Sequence, residues 1–307
     1  MEKLKANHLL LESPHGWADY ELLDCGDFEK LERFGNYILI RPEPQAIWPK
    51  MLDDAEWMKL ANGRFVRDNS KKSHRNTESD QGGWTKLKAL PESWKISYNL
   101  AGKNLTFKLA LTSFGHIGIF PEQANNWNYV QERIHEMANV GECKVLNLFA
   151  YTGGLSVAAR AHGAEVSHVD SVKSIITWAN ENQQLSRLDG IRWVIEDALK
   201  YARREATRGN KYQGIVLDPP AYGRGPKGEK WILEDLLPEL MSYCKEILDP
   251  HKGFFILNLY SMGWSALMAE NMVKSYFPKA KTELGEFYLP AKSGLRLPMG
   301  IFLRFHY

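Results

Sequence analysis

The chain has 307 residues, 44% of them hydrophobic, and its 39 Lys and Arg nearly balance 37 Asp and Glu. That length suits two domains with a sizeable core, and a net charge of +2 excludes a globally basic nucleic-acid binder, so any such surface must be local. Three well-separated cysteines, Cys25, Cys143 and Cys244, fit neither a disulfide framework nor paired metal ligands, and no apolar run is long enough to cross a bilayer.

Residues 1–8 lack the apolar stretch of a signal peptide, so the expectation is a soluble cytoplasmic protein with reduced thiols. Residues 1–114 read as a smaller β-rich domain with short strand-like runs, many turns and tryptophans. Residues 35–41 form a strand pattern that stops at Pro42 and Pro44, because proline cannot continue a ladder. Residues 53–60 suggest a short helix, and residues 64–83 a polar exposed loop. Residues 94–98 and 105–111 look like a hairpin turning around Asn99 and Gly102.

From residue 126 to 140 the spacing turns helical, with Trp127, Val130, Ile134 and Met137 three or four apart. Strands then alternate with helices as far as Leu259, as in an α/β fold whose parallel sheet is covered on both faces. Residues 283–307 revert to strand patterns and suggest a closing hairpin at the sheet edge. The expected fold is a Rossmann-like domain over residues 115–307, with a mainly parallel seven-stranded sheet.

Three stations inside that pattern carry chemistry. Val145, Leu146 and Leu148 form a buried-strand run that passes Asn147, Phe149, Tyr151 and Thr152 to reach Gly153 and Gly154, after which a helix begins. A glycine pair after a strand is often only a tight turn, so the weight lies in the acids at the ends of the next strands. Asp170 ends the second strand, where a carboxylate can accept two ribose hydroxyl hydrogen bonds or cap the next helix. Asp197 ends the third, where it could accept from an adenine amine or be an ordinary loop acid. The first turn lacks Gly-x-Gly-x-x-Gly, which speaks against a dinucleotide pyrophosphate and for S-adenosylmethionine (SAM), which has no phosphate to cradle.

The last station is Asp218, Pro219, Pro220, Ala221 and Tyr222, at the carboxyl end of an apolar strand. The prolines stiffen the backbone and lack N–H donors, so Asp218 and the proline carbonyls can make an acceptor surface for an exocyclic amine. Tyr222 offers a face for stacking an extruded base. A rigid turn with a buried tyrosine is the plainer alternative. Residues 223–230 continue as a glycine-rich loop with Arg224, Lys227 and Lys230, fit for a mobile phosphate-gripping rim or a solvated loop.

The ordered set Gly118-Ile-Phe-Pro-Glu-Gln123, Asn147-Leu-Phe-Ala-Tyr-Thr-Gly-Gly154, Asp170, Asp197 and Asp218-Pro-Pro-Ala-Tyr-Gly-Arg-Gly225 resembles the bacterial class I SAM-dependent rRNA methyltransferase family. That family includes the large-subunit rRNA cytosine-5 methyltransferases. The resemblance runs from about residue 116 to 305 and reaches the N-terminal part through Leu31-Glu-Arg-Phe-Gly35 and Arg41-Pro-Glu-Pro-Gln45. It implies SAM as cofactor and RNA, above all rRNA, as substrate. By the same resemblance Phe120 and Gln123 wall the cofactor, Asn147, Phe149, Tyr151, Thr152, Gly153, Gly154 and Asp218 also bind it, Asp170 holds its ribose, Asp197 its adenine, and Asp218 to Tyr222 face the substrate.

The chain departs from the cytosine-5 pattern. No separate PUA-type module is evident ahead of the β-rich region, and Ser261 aligns with the cysteine that attacks the base in that group. Serine is a far weaker nucleophile at neutral pH, so methylation of an amine or ring nitrogen is expected rather than cytosine C5. Cys143 and Cys244 read as packing residues.

Residues 64–75 carry five Lys or Arg against one acid and could track an RNA backbone, although a solvated loop has the same composition. Residues 200–211, with Arg203, Arg204 and Arg208, read as an exposed helix face. His116, His162 and His168 show no metal-ligand spacing. Trp17, Trp48, Trp57, Trp84 and Trp94 read first as core and only second as base-stacking groups.

Overall fold

The computed structural model describes residues 9–68, 82–138, 141–260 and 263–307. The N-terminal part begins with β1 (Leu10–Glu12) and continues with β2 (Tyr20–Gly26), β3 (Glu29–Phe34) and β4 (Tyr37–Pro42). Then come α1 (Asp54–Leu60), β5 (Gly63–Arg67) and β6 (Gly82–Lys86). Strands β2 to β6 form a five-stranded sheet in sequence order. Helix α1 starts where Asp53 accepts a hydrogen bond from Glu56 N, and its Trp57 packs with Leu31, Ile40 and Ala61.

The loop expected at residues 64–83 is corrected at both ends: residues 64–67 and 82–83 are paired strand, Phe65 opposite Trp84. Phe65 is 2% exposed, so a buried ring anchors the pairing of β5 with β6, while its neighbour Val66 is exposed. Residues 69–81, most of the basic stretch, lie outside the described residues.

Strands β7 (Ser93–Leu100) and β8 (Lys103–Ala110) make the expected hairpin. Ala101 and Gly102 turn it with positive φ, and Asn99 Oδ1 accepts from Gly102 N.

The larger layer comes next, as α2 (Ala124–Met137), β9 (Lys144–Leu148), α3 (Gly154–Ala161), β10 (Glu165–Asp170) and α4 (Lys173–Leu185). It continues with β11 (Arg192–Ile195), α5 (Ala198–Thr207), β12 (Gly214–Leu217), β13 (Tyr222–Arg224) and β14 (Lys230–Ile232). It ends with α6 (Leu233–Ile247), β15 (Phe254–Leu259), α7 (Ala266–Tyr276), β16 (Glu283–Pro290) and β17 (Arg296–His306). The sheet order is β1-β16-β17-β15-β12-β9-β10-β11, with β17 antiparallel to both neighbours. This is the Rossmann-like α/β sheet, with one strand added. Strand β1 pairs in parallel outside β16, so the closing hairpin is covered rather than left as an edge. Arg304 of β17 fixes that corner by pairing with both Glu12 and Glu283.

Contacts cross residue 114 in several places. The β7–β8 hairpin lies on α4, where Lys108 N donates to Asn182 Oδ1 at 2.8 Å and Trp178 Nε1 to Lys108 O at 2.9 Å. Trp17, Tyr98 and Phe107 surround Trp127 of α2 at ring distances of 5.3–5.7 Å, so one aromatic core spans both parts.

Before α2, residues 118–123 run over α4 to a 3₁₀ turn, Pro121–Gln123. Gly118 has φ +100°, and a Cβ there would lie 2.2 Å from Trp178 Cζ2. Gly118→Ala combines that overlap with left-handed strain and is expected to lower unfolding free energy by about 2–4 kcal/mol, read from the urea midpoint.

Candidate active site

Strand β9 is buried along Val145 to Leu148, and the chain leaves it through an unusual turn. Phe149 and Tyr151 are non-glycine residues at φ 57° and 49°, and Gly153 comes after them at 82°. Each non-glycine left-handed residue costs about 1–2 kcal/mol, so the surroundings must hold the shape. Asp170 Oδ2 accepts from Tyr151 N at 2.9 Å, Thr152 Oγ1 donates to Gly118 O at 2.6 Å, and Asn182 Nδ2 donates to Thr152 O at 2.9 Å. At Gly154 a Cβ would come within 2.6 Å of Trp127 Cζ2, so the glycine lets α3 sit directly on the aromatic core.

A buried polar row supports the turn from beneath. Asn147 Nδ2 donates to Ser156 Oγ, which lies 2.9 Å from His168 Nδ1. Burial pushes the His168 imidazole down to about 3, so it is neutral. Asn147 of β9 is thus held by Ser156 of α3 and also lines the cleft.

The cleft brings together most of the residues singled out in the sequence. Phe120 and Gln123 come from the 3₁₀ segment, and Asn147, Phe149, Tyr151 and Thr152 from β9 and its turn. Gly153, Gly154 and Asp218 complete this set. Asp170 and Asp197 stand outside the lining, at the ends of β10 and β11. Asp170 grips Tyr151 N and Val172 N with its two oxygens, leaving further lone pairs for a diol. Burial nonetheless holds its carboxyl above the usual range. Asp197 caps α5 by accepting from Lys200 N at 2.9 Å.

At the end of β12, Asp218 Oδ1 is buried without a hydrogen-bond partner. Burial, reinforced by the Glu122 carboxylate, pushes its pKa up to about 7. The Pro220 carbonyl already accepts from Trp231 Nε1 at 2.7 Å, which uses one of its two lone pairs. Tyr222 is 54% exposed, not a buried turn residue. Of the loop expected at residues 223–230, residues 225–229 are loop and the ends are paired strand, forming the antiparallel β13–β14 hairpin, which is anchored by Trp231 against Phe149 (4.7 Å) and by the Lys200–Glu229 ion pair.

Three contributors do not stand out in the sequence. Trp127 and Asn258 line the cleft. Glu122 is 5% exposed with Oε2 unpartnered, and burial pushes it up to about 7. It faces an ionic cluster of the N-terminal sheet, in which Arg41 pairs with Glu32 at 2.7 Å and Lys30 with Glu43 at 3.1 Å. A signal exists for Asn258 alone: a polar residue at the end of an otherwise apolar strand beside Asp218's strand.

The cysteines are all buried, and burial pushes the Cys25 and Cys143 thiols up to about 11 and Cys244 higher still. Ser261 lies outside the described residues. Of the basic stretch, Arg64 pairs with Glu29 at 2.8 Å. Among the described residues no group of three His, Cys, Asp or Glu side chains could hold a metal ion, and no helix is long and apolar enough to cross a membrane.

The family model "S-adenosylmethionine-dependent methyltransferase" matches residues 58–266. The chain belongs to that family. A SAM-dependent methyltransferase from Agrobacterium tumefaciens is 35% identical with a TM-score of 0.86, over 97% of this chain and 93% of that one. The ribosomal RNA large subunit methyltransferase K/L of Shewanella baltica is 27% identical over 242 residues, 74% of this chain and 32% of that protein. The K/L methyltransferase of Pseudoalteromonas atlantica is 34% identical over 123 residues, 39% of this chain and 16% of its own length. The chain thus spans about a third or less of these curated relatives. As a family member it is a SAM-dependent enzyme, and a diol-competent acid beside a turn with no phosphate cradle fits that cofactor.

Both buried acids have folded-state pKa values above their unfolded ones, so their contribution to stability is full near pH 4 and is lost as pH rises through about 7. Thermal stability should therefore fall between pH 5 and pH 8.5. Glu122→Gln should flatten that fall by about 3 kcal/mol of unfolding free energy, measured by denaturant titration at the two pH values.

Proposed function

We propose that the chain methylates an exocyclic amine or ring nitrogen of a base in RNA, with rRNA as the favoured pool. One observation carries the reading: a buried acid with an unpartnered oxygen, Asp218, stands at a strand end beside an exposed aromatic, Tyr222. An amine donates into such an acceptor, and a flat exposed ring suits an extruded base. The names of the K/L relatives support an RNA substrate. Residues 1–114 would then serve substrate recognition and residues 115–307 methyl transfer, in a cytoplasmic protein.

In this reading Asp170 holds the cofactor's ribose and Asp197 its adenine. Phe120, Gln123, Asn147 and the turn from Phe149 to Gly154 enclose the remainder. When bound, SAM supplies an electrophilic methyl group on a sulfonium. Asp218 accepts one N–H of the amine and so turns the nitrogen lone pair toward that methyl group, while Pro219 supplies a second acceptor and Tyr222 fixes the base plane. Methylation of an amine releases one proton, and an acid held near 7 can take it. Buried cysteines with raised pKa values offer no thiolate for attack at cytosine C6, in keeping with amine or ring-nitrogen chemistry.

The test is transfer of labelled methyl from SAM to unmodified total RNA, followed by nucleoside mass spectrometry. Asp218→Ala should lower kcat by about 10²–10⁴-fold while changing SAM affinity little. Tyr222→Ala should act mainly on KM for RNA. Label in protein but not RNA would replace RNA by a protein substrate, and 5-methylcytidine would overturn the choice of atom.

A further inference from the structure

Three amide side chains meet at the floor of the cleft. Asn126 Nδ2 donates to Gln123 Oε1 and to Asn258 Oδ1, both at 2.9 Å, and Asn258 Nδ2 donates to Gln123 Oε1 at 3.2 Å. Asn126 and Asn258 are 0% and 3% exposed. They come from α2 and β15, elements that the chain brings together only through the fold.

The hydrogens can be counted. Both N–H groups of Asn126 are used, and the two lone pairs of Gln123 Oε1 are filled. The Gln123 amide is therefore fixed with its oxygen toward the asparagines and its NH₂ away from them. Gln123 occupies the N-cap of α2 yet makes no capping bond, so its amide is not spent on the helix. Gln123 and Asn258 both line the cleft. The triad thus offers the cleft the two N–H groups of Gln123 and the second N–H of Asn258. The same arrangement leaves Asn126 Oδ1 buried and unpartnered. A buried carbonyl oxygen without a donor is costly, so the triad is held by its surroundings as well as by its own hydrogen bonds.

A cluster of donors calls for an anion, and an acid stands elsewhere in the cleft, at Asp218. The cofactor carries one anionic group, the carboxylate of its methionine end. We infer that Asn258, acting with Asn126, is a positioning residue that locks the Gln123 amide so that its N–H groups hold that carboxylate. The inference rests on Gln123 being part of the cofactor site.

Calorimetric titration separates the two ideas. The probes are S-adenosylhomocysteine and 5′-methylthioadenosine, which keeps the nucleoside thioether and lacks the amino-acid end. Wild-type protein should bind the first more tightly than the second. Asn258→Ala should weaken S-adenosylhomocysteine about 10-fold and leave 5′-methylthioadenosine within about 2-fold. Asn258→Asp should weaken S-adenosylhomocysteine by about 100-fold, because a carboxylate at that position attracts the Gln123 NH₂, turns the amide round and repels the ligand's own charge. Methylthioadenosine binding by both variants serves as the check on folding. Equal losses for both ligands would show a merely structural triad and overturn the inference, as would no loss for either. Gln123→Ala distinguishes the premise: if it leaves S-adenosylhomocysteine affinity unchanged, Gln123 is not part of the cofactor site and the reading beneath the inference fails first.

Discussion

Everything at the strand ends depends on one strained turn. Between Leu148 and Gly154 the backbone visits the left-handed region at Phe149, Tyr151 and Gly153, and only the last is glycine. Such a path survives because neighbouring elements over-determine it: β10 through Asp170, α4 through Asn182, and the 118–123 segment through the Gly118 carbonyl. The turn carries the Phe149 and Tyr151 side chains into the cleft, and it commits Asp170 to a position beside them. The acid that would hold a ribose is also the acid that holds the turn, so the cofactor site and its scaffold are not separable.

Trp127 carries the same constraint into the N-terminal part. Its ring packs with Trp17, Tyr98 and Phe107 on one side and meets Gly154 on the other. The main chain of the β7–β8 hairpin is likewise tied to side chains of α4 and its C-cap, Trp178, Asn182 and Ser186. The β7–β8 hairpin is therefore packed, through Trp127, against the helix that begins at the glycine turn. The buried ionic cluster around Glu32 and Arg41 adds to this, since Arg41 also donates to the Gly115 carbonyl at the entrance to the 118–123 segment.

The Rossmann-like layer was legible because its signals are local. Apolar strands, helical spacing and acids at strand ends each lie within a few residues, and the hairpin at Ala101-Gly102 has its own turn chemistry. The loop expected at residues 64–83 failed where the deciding interaction, Phe65 on Trp84, joins positions separated by a long polar stretch. Strand β1 was missed for a similar reason. Three residues have no periodicity to read, and their pairing with β16 is set by Arg304, far away in the chain. Among the site residues, those in the continuous motif at 147–154 fell together in the cleft, while Asn258 and Glu122 did not stand out. Their relevance comes from partners on other elements, and no spacing rule records that.

Hydrogen-bonding character is unevenly distributed in the cleft. On the floor, the amide triad fills the Gln123 carbonyl with donors from both asparagines and leaves the Gln123 NH₂ free of them. At the end of β12, consecutive prolines remove the donors, Trp231 occupies the Pro220 carbonyl, and Asp218 remains as a buried acceptor. Glu122 lies next to Gln123 in the chain yet acts electrostatically on Asp218, raising the energy of its charged form. A group near 7 is a poor permanent anion but an effective temporary one. It can accept an N–H from a neutral amine and take up a proton once the nitrogen is alkylated, whereas a fully solvated aspartate would stay ionised and bind cations without selection. In the proposed chemistry, the same burial that lowers the protein's stability at high pH would suit Asp218 to a neutral nucleophile, and stability and chemistry would then stand in opposition at one carboxyl group.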